Sequence, residues 1–392
     1  MENNKSRVVI MGCESYECDL VYKKLKMAID LLGGIENFVS KEDKVLLKPN
    51  LLRGRKPELA TTTHPAIFEA MIRILKEHQI ENLFYGDSPG IGSPSGASKE
   101  SGLTNIAEKY KVPMLDFSHG RTMDFYLGLV KKRFEIANGV LESDVIISLA
   151  KMKTHGLTRL TGAVKNQFGC VYGLNKGTSH ACYPDALSFS KMLVDLNRFL
   201  SPKLRLFIMD GIVAMEGNGP ASGTAVPMKV ILVSDDPVAL DATFARMVNL
   251  DPTFVPTNVS GEEMELGNYS EDKIELLGEP MEKFFNPGFD VIREPVDEKV
   301  ASGLGSLSRF KGFLVRKPVV NKDKCIGCGI CEQSCPLEEK AIKMVHRKRR
   351  SYPLYYYNRC IRCYCCQEMC PEGAISVKTP LLGKLLVYKS RE

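Results

Sequence analysis

Cys325-x2-Cys328-x2-Cys331-x3-Cys335-Pro336 recurs further on as Cys360-x2-Cys363-x2-Cys366-x3-Cys370-Pro371. Three cysteines at i, i+3 and i+6 on a tight loop can wrap three corners of a tetrahedron, which is the ligand geometry of a 4Fe-4S cubane. The fourth thiolate has to arrive from elsewhere in the chain. Pro336 and Pro371 redirect the backbone just after each run, because proline fixes φ and cannot donate a backbone hydrogen bond. Zinc would call for two separated pairs of ligands, and a disulfide framework would call for an exported chain. Cys365 is an odd thiol inside the second run. Cys366 already satisfies the spacing, so Cys365 reads as a non-ligand.

Around these runs lies a chain of 392 residues, room for more than one domain. Its 44% hydrophobic and 26% charged content is ordinary for a globular protein. Residues 1–8 are polar and lack the apolar core of a signal peptide. No apolar run approaches membrane-spanning length. A cytoplasmic protein with no membrane span is therefore expected, with its 13 cysteines reduced or metal-bound.

The net charge of +6 is partly local. Lys311, Arg316, Lys317, Lys322 and Lys324 precede the first cysteine run, and Arg347-Lys348-Arg349-Arg350 follow it. Such a collar could steer an acidic redox partner or an anionic ligand, or be a solvated loop. Nucleic acid is not expected. Tyr355, Tyr356 and Tyr357 fit better as packing over a cluster than as aromatics interleaved in a basic face.

Upstream, short apolar runs at residues 6–11, 44–47, 82–85, 144–149, 204–209 and 230–234 read as strands. Helical patterns fall at 18–32, 64–77, 98–110, 157–168, 186–199 and 237–248. The strands are continuous apolar runs rather than alternating ones. That predicts an α/β fold with a mainly parallel sheet and helices on both faces, joined to a small α+β C-terminal domain. The expected division is an α/β ligand-binding domain at 1–290, a connecting arm at 291–320, the cysteine domain at 321–378 and a tail at 379–392 packed back on the protein.

In open α/β sheets, ligands bind beyond the carboxyl ends of the strands. Three predicted strands end in polar clusters: Lys48 and Asn50; Asp87 and Ser88; and Lys151, Lys153, Thr154 and His155. Lys165-Asn166, Lys176 and His180 follow shortly after. Converging cations are costly unless paired, so an anion bearing carboxylate or phosphate is the expected ligand. Lys48, Asn50, Asp87, Lys151, Lys165 and Asn166 are the expected ligand-binding residues. Lys153 and His155 are the expected catalytic pair, since histidine titrates near neutrality. His180 is a second proton-transfer candidate. Cys13, Cys18, Cys170 and Cys182 read as small buried hydrophobes or, with His180, as ligands of a further metal.

Residues 321–378 strongly resemble the two-cluster bacterial ferredoxin family. The resemblance implies two 4Fe-4S clusters, with the fourth cysteine of each run serving the other cluster. It thereby implies Cys325, Cys328, Cys331 and Cys370 for one cluster and Cys335, Cys360, Cys363 and Cys366 for the other. Lys48-Pro49-Asn50, Gly86-Asp87-Ser88-Pro89, Lys151-Met152-Lys153-Thr154-His155 and Thr161-Gly162-Ala163-Val164-Lys165-Asn166 are similar to the family catalogued as domain of unknown function 362, over about residues 7–250. Members of that family are often fused to a two-cluster ferredoxin, which implies an anaerobic redox setting. A fainter likeness, in layout without the ligand residues, is to the nickel-pincer lactate racemases. The expected function is an iron–sulfur oxidoreductase passing low-potential electrons between a redox partner protein or small carrier and the anion. The alternatives are a non-catalytic electron carrier or subunit docking to a partner oxidoreductase, and an accessory protein for metal or cofactor insertion.

Overall fold

Val45, Leu46 and Leu47 are fully buried, and every residue of Val145–His155 is buried. Strands buried on both faces need helices on both faces. The computed structural model describes residues 5–173, 175–296, 314–347 and 350–386. Its strands in chain order are β1 (Ser6–Gly12), β2 (Val45–Pro49), β3 (Leu83–Tyr85), β4 (Gly120–Asp124), β5 (Arg133–Ala137), β6 (Val145–His155), β7 (Arg159–Thr161), β8 (Leu204–Glu216), β9 (Thr224–Ser234), β10 (Ile274–Gly278), β11 (Lys317–Val320), β12 (Ile342–Arg347), β13 (Arg350–Tyr355) and β14 (Ile375–Lys378).

The main sheet has eight strands in the order β10-β1-β9-β8-β6-β2-β3, with β7 added to the end of β6. β1–β10, β2–β3, β2–β6 and β6–β8 are parallel, while β1–β9, β8–β9 and β6–β7 are antiparallel. This is the mostly parallel α/β sheet expected. Alternate residues feed opposite cores, as the two-residue period of a strand requires. Val9, Leu47 and Ile147 pack with residues of the helices Cys18–Leu31 and Pro65–Glu77. Leu46 and Ile146 pack on the other face with the helix Ala186–Leu200, and Val8 and Ile10 with the helix Pro237–Met247.

The structure corrects three expected elements. The helix expected at 98–110 is two helices, Pro94–Glu100 and Leu103–Tyr110, because Gly102 between them has φ +77°. The helix expected at 157–168 is instead β7 and the four-residue helix Ala163–Asn166, since β6 turns back on itself. β6 does not stop at Leu149. It runs on through Lys151, Lys153 and His155, with Lys151 donating to Asp210, Lys153 to Asn50, and His155 Nδ1 accepting from the Leu157 amide, all inside the protein.

The cysteine-rich part folds as two small antiparallel pairs, β11–β14 and β12–β13. The short helices Ile330–Gln333 and Cys365–Glu368 carry Cys331 and Cys366. Of the expected arm at 291–320, residues 297–313, with Lys311, lie outside the described residues, as do Lys348 and Arg349 of the basic run. Arg316, expected in a solvent-facing collar, is buried and donates to the Pro295 carbonyl at 2.9 Å. Of the tail, Leu381–Leu386 is helical, and 387–392 lie outside the described residues.

Candidate functional site

Two small cavities and one large cleft gather the polar chemistry. Cys325, Cys328, Cys331 and Cys370 line one small cavity with Val320, Ile326, Met344 and Ile375. Cys335, Cys360, Cys363 and Cys366 line the other with Leu337, Ile342 and Tyr364. Each takes three thiols from one run and the fourth from the other. Among the described residues, no three His, Cys, Asp or Glu side chains converge as they would on a single metal ion. A cubane spreads its thiolates over four separate iron corners, so thiols ringing a cavity walled by apolar side chains suit it. Tyr355 donates its hydroxyl to Cys366 Sγ at 3.6 Å, and the Ala374 amide donates to Cys370 Sγ at 3.2 Å.

The cysteine-rich part is seated over the ends of β2 and β6. Arg53 donates to the carbonyls of Cys370 and Pro371 at 3.1 and 3.2 Å, and Arg55 to that of Pro371 at 2.8 Å. Gln367 donates to Asn218 Oδ1 at 2.9 Å and to the Gly219 carbonyl at 3.0 Å. Between the two parts lies a cleft of about 550 Å³. Asn50, Asp87, Lys153, Lys165, Asn166, Lys176 and His180 line it from the large sheet's side. Cys335, Lys340, Cys365, Glu368 and Met369 line it from the other.

The cations in this cleft are poorly neutralised. Among the described residues, Lys153 Nζ donates only to neutral oxygens, Asn50 Oδ1 and the Thr61 carbonyl, both at 2.7 Å. Burial, then the nearby Lys165 and Lys151, pull its pKa far below the usual lysine range. Lys165 lies over the Phe168 ring, Nζ 5.8 Å from the centroid, with no carboxylate partner among the described residues. Lys176 donates to Ser88 Oγ at 2.7 Å. Burial brings its pKa down to about 7, against the pull of Asp87.

His155 sits one layer behind the cleft. Its Nδ1 accepts from the amides of Leu157 and Thr158 at 3.0 and 3.3 Å. The ring proton of the neutral form is therefore on Nε2, which faces Glu368 Oε1 at 3.0 Å but out of line for a hydrogen bond. Burial, then Lys165, hold the His155 pKa down to about 4. Burial disfavours the Glu368 carboxylate, but the adjoining His155 and Lys165 more than offset it, and its pKa lies well below the usual range. His180 stacks on Phe189 with centroids 4.2 Å apart, and its Nδ1 is buried without a hydrogen bond.

Residues 45–246 match the family described as domain of unknown function (DUF362), and residues 324–374 match the 4Fe-4S dicluster domain. A thylakoid-associated protein of Synechocystis sp. is 32% identical over 314 residues, 79% of this chain and 95% of that protein. The chain belongs to the DUF362 family. It is an iron–sulfur protein, with a 4Fe-4S dicluster domain at residues 324–374. Among solved structures, this DUF362 protein is similar to the lactate racemase apoprotein from Thermoanaerobacterium thermosaccharolyticum, at 12% identity and TM-score 0.39, over 62% of this chain and 57% of that one. A protein from Thermotoga maritima is similar at 11% identity and TM-score 0.38, over 63% and 59%. The chain thus spans less than two thirds of the length of either.

The structure brings Asn50, Asp87, Lys153, Lys165 and Asn166 of the DUF362 part to the cleft. It leaves Lys48 and Lys151 behind it. Lys48 Nζ is 2.8 Å from Asp87 Oδ1, and Lys151 Nζ is 2.8 Å from Asp210 Oδ2 and from the Tyr16 hydroxyl. Both are neutralised in the interior, so they hold the strand ends together rather than face a ligand. Sequence reasoning missed Glu368, Lys340 and the cleft-facing position of Cys365. Glu368 falls in the three-residue gap between Cys366 and Cys370, where the cysteine spacing draws all attention.

Proposed function

We propose that this DUF362 protein is an iron–sulfur oxidoreductase whose cleft seats an anionic small molecule bearing a carboxylate or phosphate, beside clusters that exchange electrons with it. One observation carries this reading. The cleft is lined by Lys153, Lys165 and Lys176, none with a carboxylate hydrogen bond among the described residues, and on its opposite wall by Cys335, which also lines the second cysteine cavity. Cys325, Cys328, Cys331 and Cys370 would hold one cubane, and Cys335, Cys360, Cys363 and Cys366 the other. Bound there, each cubane supplies one low-potential electron, which suits a two-electron reduction.

The chain's own residues divide the remaining work. Lys165, Lys153 and Lys176 hold the anion, and Asn50 and Asn166 orient it. Asp87, clamped by Lys48, sets the position of Lys48-Pro49-Asn50. Lys176 can give or take a proton near neutral pH, since its pKa is about 7. His155 is reassigned as a positioning residue acting through Glu368. The reading includes an α/β ligand-binding domain at 1–290, an arm at 291–320 and a ferredoxin domain at 321–378. It also includes a reducing compartment, because all thirteen cysteines are free of disulfides. Cytoplasm, or a membrane surface that faces it, would satisfy it.

A carrier that docks to a partner oxidoreductase is the second reading, favoured by Cys328, which is exposed near Lys322 and Lys324. The test begins with iron and sulfide on anaerobically purified protein, where about eight of each are expected. A panel of mono- and dicarboxylates and phosphates is then screened by melting temperature. A hit that Lys165→Ala abolishes without loss of iron supports the oxidoreductase. If no anion shifts the melt, and a partner protein co-purifies, the carrier reading replaces it.

A further inference from the structure

The hairpin of β4 and β5 carries four large apolar side chains into solvent at its tip. Tyr126 is 83% exposed, Leu127 72%, Leu129 65% and Val130 38%. Water does not favour such a group, and a free loop would turn some of it inward. Here the backbone is pinned so that it cannot. The fully buried Asp195 accepts from the Leu129 amide at 3.0 Å on one carboxylate oxygen, and from the Val130 and Lys131 amides at 2.7 and 2.9 Å on the other. Arg198 donates to the Leu127 carbonyl at 3.2 Å and Tyr183 to the Val130 carbonyl at 3.3 Å. Phe125 alone turns in, edge-on to Phe199 at 5.7 Å. The outward posture is thus built by the side chains beneath it.

The charge around the tip has one sign in excess. Residues 120–137 hold Arg121, Lys131, Lys132 and Arg133 against Asp124 and Glu135. Both carboxylates are taken, Asp124 by Arg133 at 2.8 Å and Glu135 by Lys131 at 3.5 Å. Lys132, beside the tip, and Arg121, further down the hairpin opposite Ile136, remain exposed without a carboxylate partner among the described residues.

We propose that this tip is a peripheral membrane contact, inserting Tyr126, Leu127, Leu129 and Val130 into the headgroup and upper acyl region of an anionic bilayer. A stable protein interface needs roughly 800 Å² on each partner, more than a narrow tip of four side chains presents. A bilayer accepts a tip end-on. Tyrosine suits the headgroup level, where one end of the ring is apolar and the other wet. Lys132, unpaired beside the tip, meets lipid phosphates. Among the described residues, no helix is long and apolar enough to cross a membrane. Attachment through the hairpin would be reversible and weakened by salt.

The chain has no tryptophan, so Tyr126→Trp installs a single reporter at the tip of the full, cluster-loaded protein. With vesicles of phosphatidylcholine mixed with phosphatidylglycerol, a blue shift of its emission and co-sedimentation are expected, both reversed by high salt. Pure phosphatidylcholine should give at least tenfold weaker binding. The doubly substituted Leu127→Ser, Leu129→Ser chain should lose binding at least tenfold with an unchanged melting temperature, because both side chains are already in water. No shift with either vesicle would overturn the proposal. So would a shift without vesicles that grows with protein concentration, which would mean a second copy covers the tip. Vesicle binding unaffected by the double substitution would assign the contact to another surface.

Discussion

Lys48 Nζ and Asp87 Oδ1 stand 2.8 Å apart with both side chains buried, tying the end of β2 to the loop after β3. Lys153, on the neighbouring β6, is as deeply buried and has no such partner among the described residues. Two lysines in the same interior thus carry opposite energetics. Replacing one member of a buried ion pair strands the other charge, at about 3–5 kcal/mol. Lys48→Met is therefore expected to destabilise by about that amount. Lys153→Met removes a buried ammonium that burial already disfavours and should cost far less, about 1 kcal/mol or under. Anion binding should fall at least tenfold in Lys153→Met, with iron content unchanged. Chemical denaturation and ligand titration of the two variants check this. Equal destabilisation would mean that the hydrogen bonds to Asn50 and Thr61 matter as much as an ion pair.

The same pair dictates a glycine. A Cβ at Gly169 would fall 1.7 Å from Asp87 Oδ1 and 2.8 Å from Lys48 Nζ. Neither atom can retreat without breaking the ion pair. Gly169→Ala is expected to cost about 3 kcal/mol or more. At Gly177, whose Cβ would meet nothing within 4 Å, the same change should be nearly silent. Melting temperatures of the two variants would show the contrast.

How much of this was legible in the chain depends on how local each cause is. The cubane reading needed only i, i+3 and i+6 spacings, so it stood in the sequence. The sheet was legible because Val45–Leu47 and Val145–Ile147 are continuous apolar runs. The second half of β6 was not, because Lys151, Lys153 and His155 read as polar loop residues until Asp210, Asn50 and Glu368 arrive from far along the chain. Single-residue polarity could not separate Lys48 and Lys151, which are paired inside, from Lys153 and Lys165, which face the cleft. The cleft's second wall was hidden for a different reason. Glu368 and Cys365 sit within the cysteine run, and which way they face depends on Arg53, Arg55 and Gln367 seating that run on the sheet.

Cys365 and Cys366 should separate cleanly. Cys366 lines the second cysteine cavity, whereas Cys365 lines the cleft. Cys365→Ser is expected to retain about eight iron and eight sulfide per chain, and Cys366→Ser to lose about half of each. Iron and acid-labile sulfide measured anaerobically decide it. Loss of iron in Cys365→Ser would mean that this thiol, rather than its neighbour, completes the set.

Tyr355 gives a spectroscopic handle on the same cavity. Its hydroxyl donates to Cys366 Sγ, and a hydrogen bond to a cluster sulfur favours the more negative, reduced state. Tyr355→Phe keeps the ring, which stacks on Tyr357 with centroids 5.5 Å apart, and removes only the donor. A lower reduction potential for one of the two clusters is expected, with unchanged iron content. Redox titration followed by electron paramagnetic resonance checks this. An unshifted potential would mean that the hydroxyl has no share in tuning the cluster.

Lys176 should set the pH dependence of anion binding. Burial lowers its pKa to about 7, so the ammonium is present below that pH and is lost as pH rises through it. The affinity of an anion found in the screen should therefore fall on going from about pH 6 to pH 8, by up to tenfold for one lost charge contact. Arginine stays charged throughout this range, so Lys176→Arg should flatten the profile while keeping binding at the acid end. Titration of the wild type and the variant by calorimetry at several pH values makes the comparison. A profile unchanged by Lys176→Arg would move the titrating group elsewhere, and Lys153, lining the same cleft with a pKa pulled far below the usual lysine range by burial, would be the next residue to replace.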